Sequence, residues 1–483
     1  MLKKYLNIYK QMPIQMKASM WFLICSFIQK GISMITTPIF TRILTTQEYG
    51  QYSVFNAWLQ ILTPIVCLNL YAGVYAQGIV KFEDDRNRYS SSLQGFCLTL
   101  TATWAFIYLL SCSFWNKIFS LTTVQGIAMF LMIWATGSFN FWSMNQRADF
   151  KYRKLVLLTL LATIFQPLVS VIFIINSNDK VSARIIGIAV VQMALYAGTF
   201  IYQMKEGKQF FSRKYWLYAL KFNIPLLPHY LSMNVLSSSD RIMISHMAGD
   251  GEAGIYNLAY SVSLIMTMFN TALLQTIEPW IYRKLKEKRI QDLAGVAYPC
   301  FIAIAVLNVL LVMFAPEVIA VFAPDAYQEA IWMIPGVALS VFFTFLYTFF
   351  ATFEFYYEKT RYIAGATVGG ALLNIGLNYV CINRFGYIAA GYTTLFSYIL
   401  FAVLHYYFMV RICKEYMDNV RPYKPGFIIA IGGGCMIAGF SIMLTYYNPV
   451  IRYAMIVIVV LIAFMMKNYI LSVLRILSDL RKG

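Results

Sequence analysis

Lys30 stands near the centre of an apolar run that extends from residue 14 to residue 40, far from either end of it. A lysine held in hydrocarbon costs roughly 2.5–3.5 kcal/mol on insertion scales, and from the middle of a span its ammonium cannot readily reach either surface. Facing a cavity, it would attract a diphosphate or an acidic sugar as a point charge; the plainer reading is a lysine hydrogen-bonded to neighbouring helices. His229 lies 199 residues further on in a second apolar run, so equivalent points of the chain carry ionisable groups. An imidazole there could contact sugar or carry a proton, or it could satisfy carbonyls freed by Pro225 and Pro228. Arg42 and Arg241 repeat the same 199-residue spacing, with Asp240 beside the second. Guanidiniums at a cavity rim could grip phosphate bidentately, or simply cap helix ends.

Fewer acids offer chemistry. Glu278, before Pro279, could carry a proton or pair with Arg283 or Lys284. Arg147, Asp149 and Glu354 close apolar runs and read as salt-bridged hinge residues that could also touch a head group. Asp84-Asp85 makes no metal motif, and the sequence holds no Gly-rich phosphate loop, HExxH or nucleophile elbow. Its eight cysteines stand singly, which indicates neither disulfides nor zinc. The expectation is no catalytic residue, no metal and no cofactor.

The elements that must position these residues follow from composition. The 483 residues are 60% hydrophobic and 12% charged, where soluble proteins sit near one half and one quarter. At about 20 residues per span, fourteen membrane helices can be placed: 14–40, 51–79, 91–111, 122–144, 155–175, 183–203, 216–244, 253–281, 293–314, 328–353, 362–382, 387–409, 425–446 and 449–471. The first run is too long for a signal-peptide core and reads as span 1. Pro38, Pro64, Pro167, Pro225 and Pro228 fall in or at the ends of spans, where kinks are expected.

With both termini inside, 31 of the 39 Lys and Arg fall in cytoplasmic segments, while Arg42, Lys117, Lys180, Arg184, Arg241, Arg384 and Arg452 fall outside and Lys30 in mid-membrane. That bias sets orientation. The net charge of +18 is therefore topology rather than a nucleic-acid footprint. Every loop is too short to fold as a catalytic domain.

Ser33-Met34 and Arg42-Ile43 recur as Ser232-Met233 and Arg241-Ile242, Glu48-x-Gly50-x-Tyr52 recurs as Glu252-x-Gly254-x-Tyr256, and Lys151-Tyr-Arg153 is echoed by Lys359-Thr-Arg361. The repeat equates spans 1–6 with 7–12 and leaves two over. Because six is even, the lobes share orientation and relate by a pseudo-twofold along the membrane normal. The expected divisions are 1–203, 204–409 and 410–483.

On the basic start, Pro38-Ile-Phe-Thr-Arg42-Ile-Leu, Glu48-Tyr-Gly50-Gln-Tyr52, Asp240-Arg241-Ile, Glu252-Ala-Gly254-Ile-Tyr256-Asn257 and Gly386-Tyr-Ile-Ala-Ala-Gly391-Tyr, the chain resembles the Wzx-type oligosaccharide flippases of the multidrug/oligosaccharidyl-lipid/polysaccharide exporter superfamily along its full length. The resemblance implies an all-α protein of a bacterial inner membrane. It would carry an undecaprenyl-diphosphate-linked oligosaccharide, for O-antigen, capsule or exopolysaccharide, from the cytoplasmic to the outer leaflet by alternating access. It also implies glycosyltransferases, a polymerase and a chain-length regulator as partners, and leaves proton or sodium coupling open. A multidrug antiporter of the same superfamily usually needs a carboxylate inside its first lobe. Span 1 carries a lysine and no acid, which favours an anionic cargo. A membrane polymerase or acyltransferase would show a large outer loop or a His/Asp cluster, and only three histidines are present. A lipid II-type flippase differs in cargo alone.

Overall fold

The structure, a computed structural model, describes Tyr9 and residues 12–465. The basic Lys3, Lys4 and Lys10, the end of span 14 and Lys467, Arg475, Arg481 and Lys482 lie outside the described residues. Among those described, regular structure is helical throughout, as a chain in lipid requires: a helix satisfies its own N–H and C=O groups where no water can.

The chain divides into two compact units, Met1–Ile242 and Met243–Gly483. In the first run α1 (Ile14–Ile43), α2 (Thr46–Cys67), α3 (Gly73–Lys81), α4 (Arg86–Leu110), α5 (Cys112–Phe119), α6 (Thr123–Ala148), α7 (Tyr152–Ile175), α8 (Lys180–Gly207), α9 (Arg213–Asn223) and most of α10 (Leu227–Met247). The second holds α11 (Asp250–Ser263), α12 (Ile265–Lys286), α13 (Leu293–Met313), α14 (Ala315–Phe322), α15 (Ile334–Tyr356), α16 (Thr360–Phe385), α17 (Ala389–Tyr416), α18 (Pro425–Met443) and α19 (Pro449–Met465). Eleven of the described helical segments are long and apolar enough to cross a membrane. They coincide with eleven of the fourteen expected spans. Of the other three, the last is described only as far as Met465, and spans 2 and 7 are each split in two.

In the first unit α8 packs against α2, α4, α6 and α7. It can approach α7 closely because Gly187 lacks a side chain: a Cβ there would come within 2.8 Å of the Ser170 Cα. In the second unit α15 is the most buried of the membrane-length helices. Its Phe342, Phe345, Phe349, Phe350 and Phe353 form a core with Phe301 of α13, and Gly336 packs so closely on α17 that a Cβ there would come within 2.7 Å of the Gly391 carbonyl oxygen.

The break in span 2 comes four residues beyond Pro64. Leu68 and Asn69 both adopt φ near +50°, a left-handed conformation that costs a non-glycine residue roughly 1–2 kcal/mol. The carbonyls released there need donors. Asn223, fully buried at the end of α9 where span 7 breaks, donates its Nδ2 to the Leu68 carbonyl at 2.8 Å. The break in span 7 thus supplies a donor to the break in span 2. The break in span 7 falls on residues 224–226, which include Pro225, whereas Pro64 stays inside α2 and the turn in span 2 falls on Leu68 and Asn69.

Asn223→Ala leaves the Leu68 carbonyl unpaired in an apolar setting, a cost of about 1–3 kcal/mol. A lower melting temperature of the detergent-purified protein is expected, with Asn223→Ser, which keeps a donor, falling between. An unchanged midpoint for Asn223→Ala would show that the carbonyl is satisfied another way.

Candidate functional site

Two cavities lie along one face of the α6–α7–α8 group in the first unit. The larger, 740 Å³, opens at the Lys/Arg-rich ends of these helices. Lys17 of α1 and Lys151, Arg153 and Lys154 at the start of α7 line it, with Tyr152, Trp142 and Tyr202 among its aromatic residues. The start of α1 is held to it by aromatic contacts: Trp21 stacks on Tyr152 with centroids 6.4 Å apart, and Tyr9 and Tyr152 share a hydroxyl hydrogen bond of 3.1 Å. Four cations converge there, Lys151 also pairing with Asp149 at 2.8 Å, and no carboxylate lines the cavity itself, which suits a multiply charged anion.

The second cavity, 480 Å³, continues along the same helices and is bounded by α1, α2, α6, α7 and α8. Amides and hydroxyls dominate its lining, including Gln29, Thr36, Asn140, Thr163, Gln166 and Gln192. Its single lining charge is Arg184, in the second turn of α8 and 7% exposed. The guanidinium is held between aromatic rings, its Cζ 3.8 Å from the Phe40 centroid and 3.5 Å from that of Tyr52. Such contacts are worth up to about 2 kcal/mol when desolvated. At 1.5 Å per residue, Arg184 lies about 22 Å along α8 from Thr199 in the first cavity.

The motif Glu48-x-Gly50-x-Tyr52 now has a local cause. Thr45 and Glu48 form a capping box, each side chain accepting from the other's backbone N–H at 3.2 and 2.8 Å. This starts α2 at the register that sets Tyr52 on Arg184.

The residues expected to carry chemistry are dispersed. Lys30 is exposed on α1. Arg42 is exposed and donates to the Pro38 carbonyl at 3.0 Å, a helix-end contact. His229 is partly buried beside Tyr230. Asp240 and Arg241 are buried in α10, where Arg241 donates to the Ser237 carbonyl at 2.7 Å. Glu278 accepts from the Tyr282 hydroxyl at 3.5 Å, while Lys284 bridges Glu287 and Asp292 at 3.4 and 3.1 Å. Arg147 lies over the Phe22 ring. Asp149 pairs with Arg86 at 2.6 Å and Lys151 at 2.8 Å, so the ion-paired hinge is built on Arg86 rather than Arg147.

One feature has no counterpart among the expected sites, and one expected residue, Glu354, is ion-paired but in a different setting. Arg184, counted as an outer-end charge, is a cavity residue. Its signal is a lone cation inside Val181-Ser-Ala-Arg184-Ile-Ile, a stretch otherwise free of charge. In the second unit Glu354 is not a surface hinge residue: fully buried on α15, it pairs with His405 of α17 at 2.6 Å, and Tyr347 stacks on the imidazole. A chain of neutral groups, Asn378 to Asn374 at 3.2 Å and Asn374 to Ser397 at 3.4 Å, lies between α16 and α17.

The sequence profile of the polysaccharide biosynthesis protein family matches residues 16–284, more than half of the chain. The chain belongs to this family. Two proteins of Haemophilus influenzae are similar to this family member. One, "Lsg locus putative protein 1", is 23% identical over 205 residues, 41% of this chain and 51% of its own length. The other, an uncharacterized membrane protein, is 20% identical over 74% of this chain and 88% of its own length. The chain thus spans about half the length of the first. Among solved structures, the fold resembles the lipid II flippase MurJ in an inward closed conformation (TM-score 0.68, 14% identity, 92% of this chain and 99% of that one). It also resembles an inward-facing multidrug resistance MATE family transporter of the MOP superfamily (TM-score 0.62, 12% identity, 80% and 95%). The family match makes this chain a polysaccharide biosynthesis protein, and its fold, with eleven membrane-length helices among the described residues, is the one seen in these multi-pass membrane proteins.

Two predictions concern the ion pairs. Burial raises the Asp149 carboxyl, but hydrogen bonds and charge from Lys151 and Arg86 outweigh it and hold the group below its ordinary range. A depressed folded pKa gives stability that is full above the unfolded value of about 3.9 and is lost as pH falls through the folded value. Wild type should therefore exceed Asp149→Asn in melting temperature near neutral pH, and the gap should close below about pH 4; a gap independent of pH would reject the charge pairing. Breaking the buried Glu354–His405 pair with His405→Ala should cost about 3–5 kcal/mol, and Glu354→Leu/His405→Leu should recover much of it. A double variant no more stable than His405→Ala would overturn that account.

Proposed function

We propose that the protein is a flippase for an undecaprenyl-diphosphate-linked oligosaccharide, moving it from the cytoplasmic to the outer leaflet of a bacterial inner membrane by alternating access. The observation that carries this reading is the 740 Å³ cavity at the basic end of the first unit, with Lys17, Lys151, Arg153 and Lys154 around it. The bias of Lys and Arg assigns that end to the cytoplasm. A diphosphate carries two or more negative charges, and a site of several cations recruits it where a single lysine would not. The membrane-length helices leave the lipid tail in hydrocarbon while the head group occupies polar space.

The expected divisions at 203/204 and 409/410 belong to this proposal, as do both termini on the cytoplasmic side and a proton or sodium gradient as the driving force. Exposed Lys30 and Arg42 are proposed as further contacts along α1, and His229, Asp240 and Arg241 as contacts along α10. Glycosyltransferases would supply the cargo; a polymerase and a chain-length regulator would consume it, for O-antigen, capsule or exopolysaccharide. The family match and the flippase among the solved relatives support this reading over drug export. So does the polarity of the 740 Å³ and 480 Å³ cavities, whose lining charges are all positive, the wrong sign for a cationic drug.

Arg153→Glu/Lys154→Glu reverses two exposed cations of the cavity without touching the Asp149 pair. In proteoliposomes holding a fluorescent polyprenyl-diphosphate saccharide, its initial rate of flipping should fall at least tenfold. A neutral polyprenyl-saccharide should be flipped poorly by both proteins. Equal rates for wild type and the double variant with the diphosphate lipid would refute the assignment, and flipping confined to a lipid II-type pentapeptide cargo would replace it.

A further inference from the structure

The geometry points to the Arg184 cavity as a binding site for a saccharide that bears a single carboxylate, a hexuronate-type sugar of the cargo. This assignment rests on the flippase reading above and specifies the chemistry of the unit carried.

Charge arithmetic separates the two cavities. A diphosphate is matched by the four cations at the basic end, whereas the second cavity offers one guanidinium and no acidic residue in its lining. One guanidinium matches one carboxylate: its planar fork of N–H donors fits the two oxygens in a way an ammonium cannot. With Phe40 and Tyr52 against its faces, Arg184 can meet a ligand only through its edge, so the rings fix the plane in which a carboxylate would dock.

The remaining lining suits a sugar ring. Gln166 and Gln192 each carry donors and acceptors, and hydroxyl groups of a saccharide need both. Thr136 already orients Gln192, donating to its Oε1 at 3.3 Å, which leaves the amide nitrogen to donate elsewhere. Phe139 and Tyr196 stack on each other at 4.3 Å and give a flat apolar wall, the surface on which the C–H face of a pyranose rests. At 480 Å³ the space lies inside the range of about 300–1,000 Å³ usual for small-molecule sites. A polyprenyl chain would find mostly polar groups there.

The test uses the full chain in lipid nanodiscs, titrated calorimetrically with three soluble probes: a disaccharide with one hexuronate carboxylate, its neutral hexose counterpart, and inorganic diphosphate. The hexuronate disaccharide should bind at least tenfold more tightly than the neutral one, and Arg184→Gln should abolish that preference. Gln192→Leu should weaken both saccharides alike. Should Arg184→Gln fail to fold, Arg184→Lys, which keeps the charge and loses the fork, should still reduce the preference several-fold. Equal affinities for both disaccharides in wild type, or a preference unaltered by either arginine variant, would overturn the site. So would inorganic diphosphate displacing the hexuronate probe with equal or tighter Arg184-dependent affinity, which would make it a phosphate site. The proteoliposome assay keeps the two readings apart: absence of flipping overturns the transport reading and the cargo role with it, whereas flipping without an Arg184-dependent preference overturns the saccharide site alone.

Discussion

Everything in this molecule answers to the rule that a backbone amide or carbonyl in hydrocarbon has no water to fall back on. Long uninterrupted helices meet the rule without help, and most of the chain takes that course. Where a helix is broken the groups released must be met by side chains. The 2.8 Å contact from Asn223 to the Leu68 carbonyl meets one such group at the break in span 2 and ties that break to the one in span 7. Tyr75, Tyr89 and Phe141 belong to the buried aromatic core of the same region.

Burying charge obeys the same logic with larger penalties. The structure keeps cations near the membrane in distinct ways. Arg184 is held by rings, Arg86 by Asp149 and Asn145, and Arg452 by Glu317. Glu354 and His405 form the corresponding arrangement in the second unit, sealed between α15 and α17. Arg184 lines the 480 Å³ cavity, whereas Arg86 borders a much smaller one of 180 Å³, which is why a guanidinium held on aromatic rings is more informative about function than the shorter ion pairs.

The architecture was legible because hydropathy and the distribution of Lys and Arg are averages over many residues, and averages survive local error. The runs expected at 122–144 and 183–203 correspond closely to α6 and α8. Single positions were harder. The turn at Leu68 and Asn69 carries neither glycine nor proline, so nothing local announces it; its support comes from Asn223, far along the chain. Arg184 sits four residues inside α8, too near the end for a count of charges by side to separate it from a loop residue. Glu354 and His405 are 51 positions apart, and neither is conspicuous until the two helices meet. Lys30, conspicuous for the opposite reason, is exposed on its helix rather than enclosed within the first unit. The repeated Glu-x-Gly-x-Tyr pattern was visible as a pattern, but its work, starting α2 and aiming Tyr52, is a matter of geometry.

The absence of a side chain at Gly187 has a mechanical consequence. With α8 seated on the Ser170 backbone at a distance that admits no Cβ, α7 and α8 form a closely packed pair that carries Thr163, Gln166, Arg184 and Gln192 of the inner cavity. The opposing wall is α1, of whose most apolar stretch only 11% is buried. Compliance is therefore uneven around the cavity. Any enlargement to admit or release a solute is a displacement of α1 against a fixed backing, and the stiffness of the passage is set by how α1 is tethered at its two ends, by the tyrosines near Trp21 and by Phe40 against Arg184.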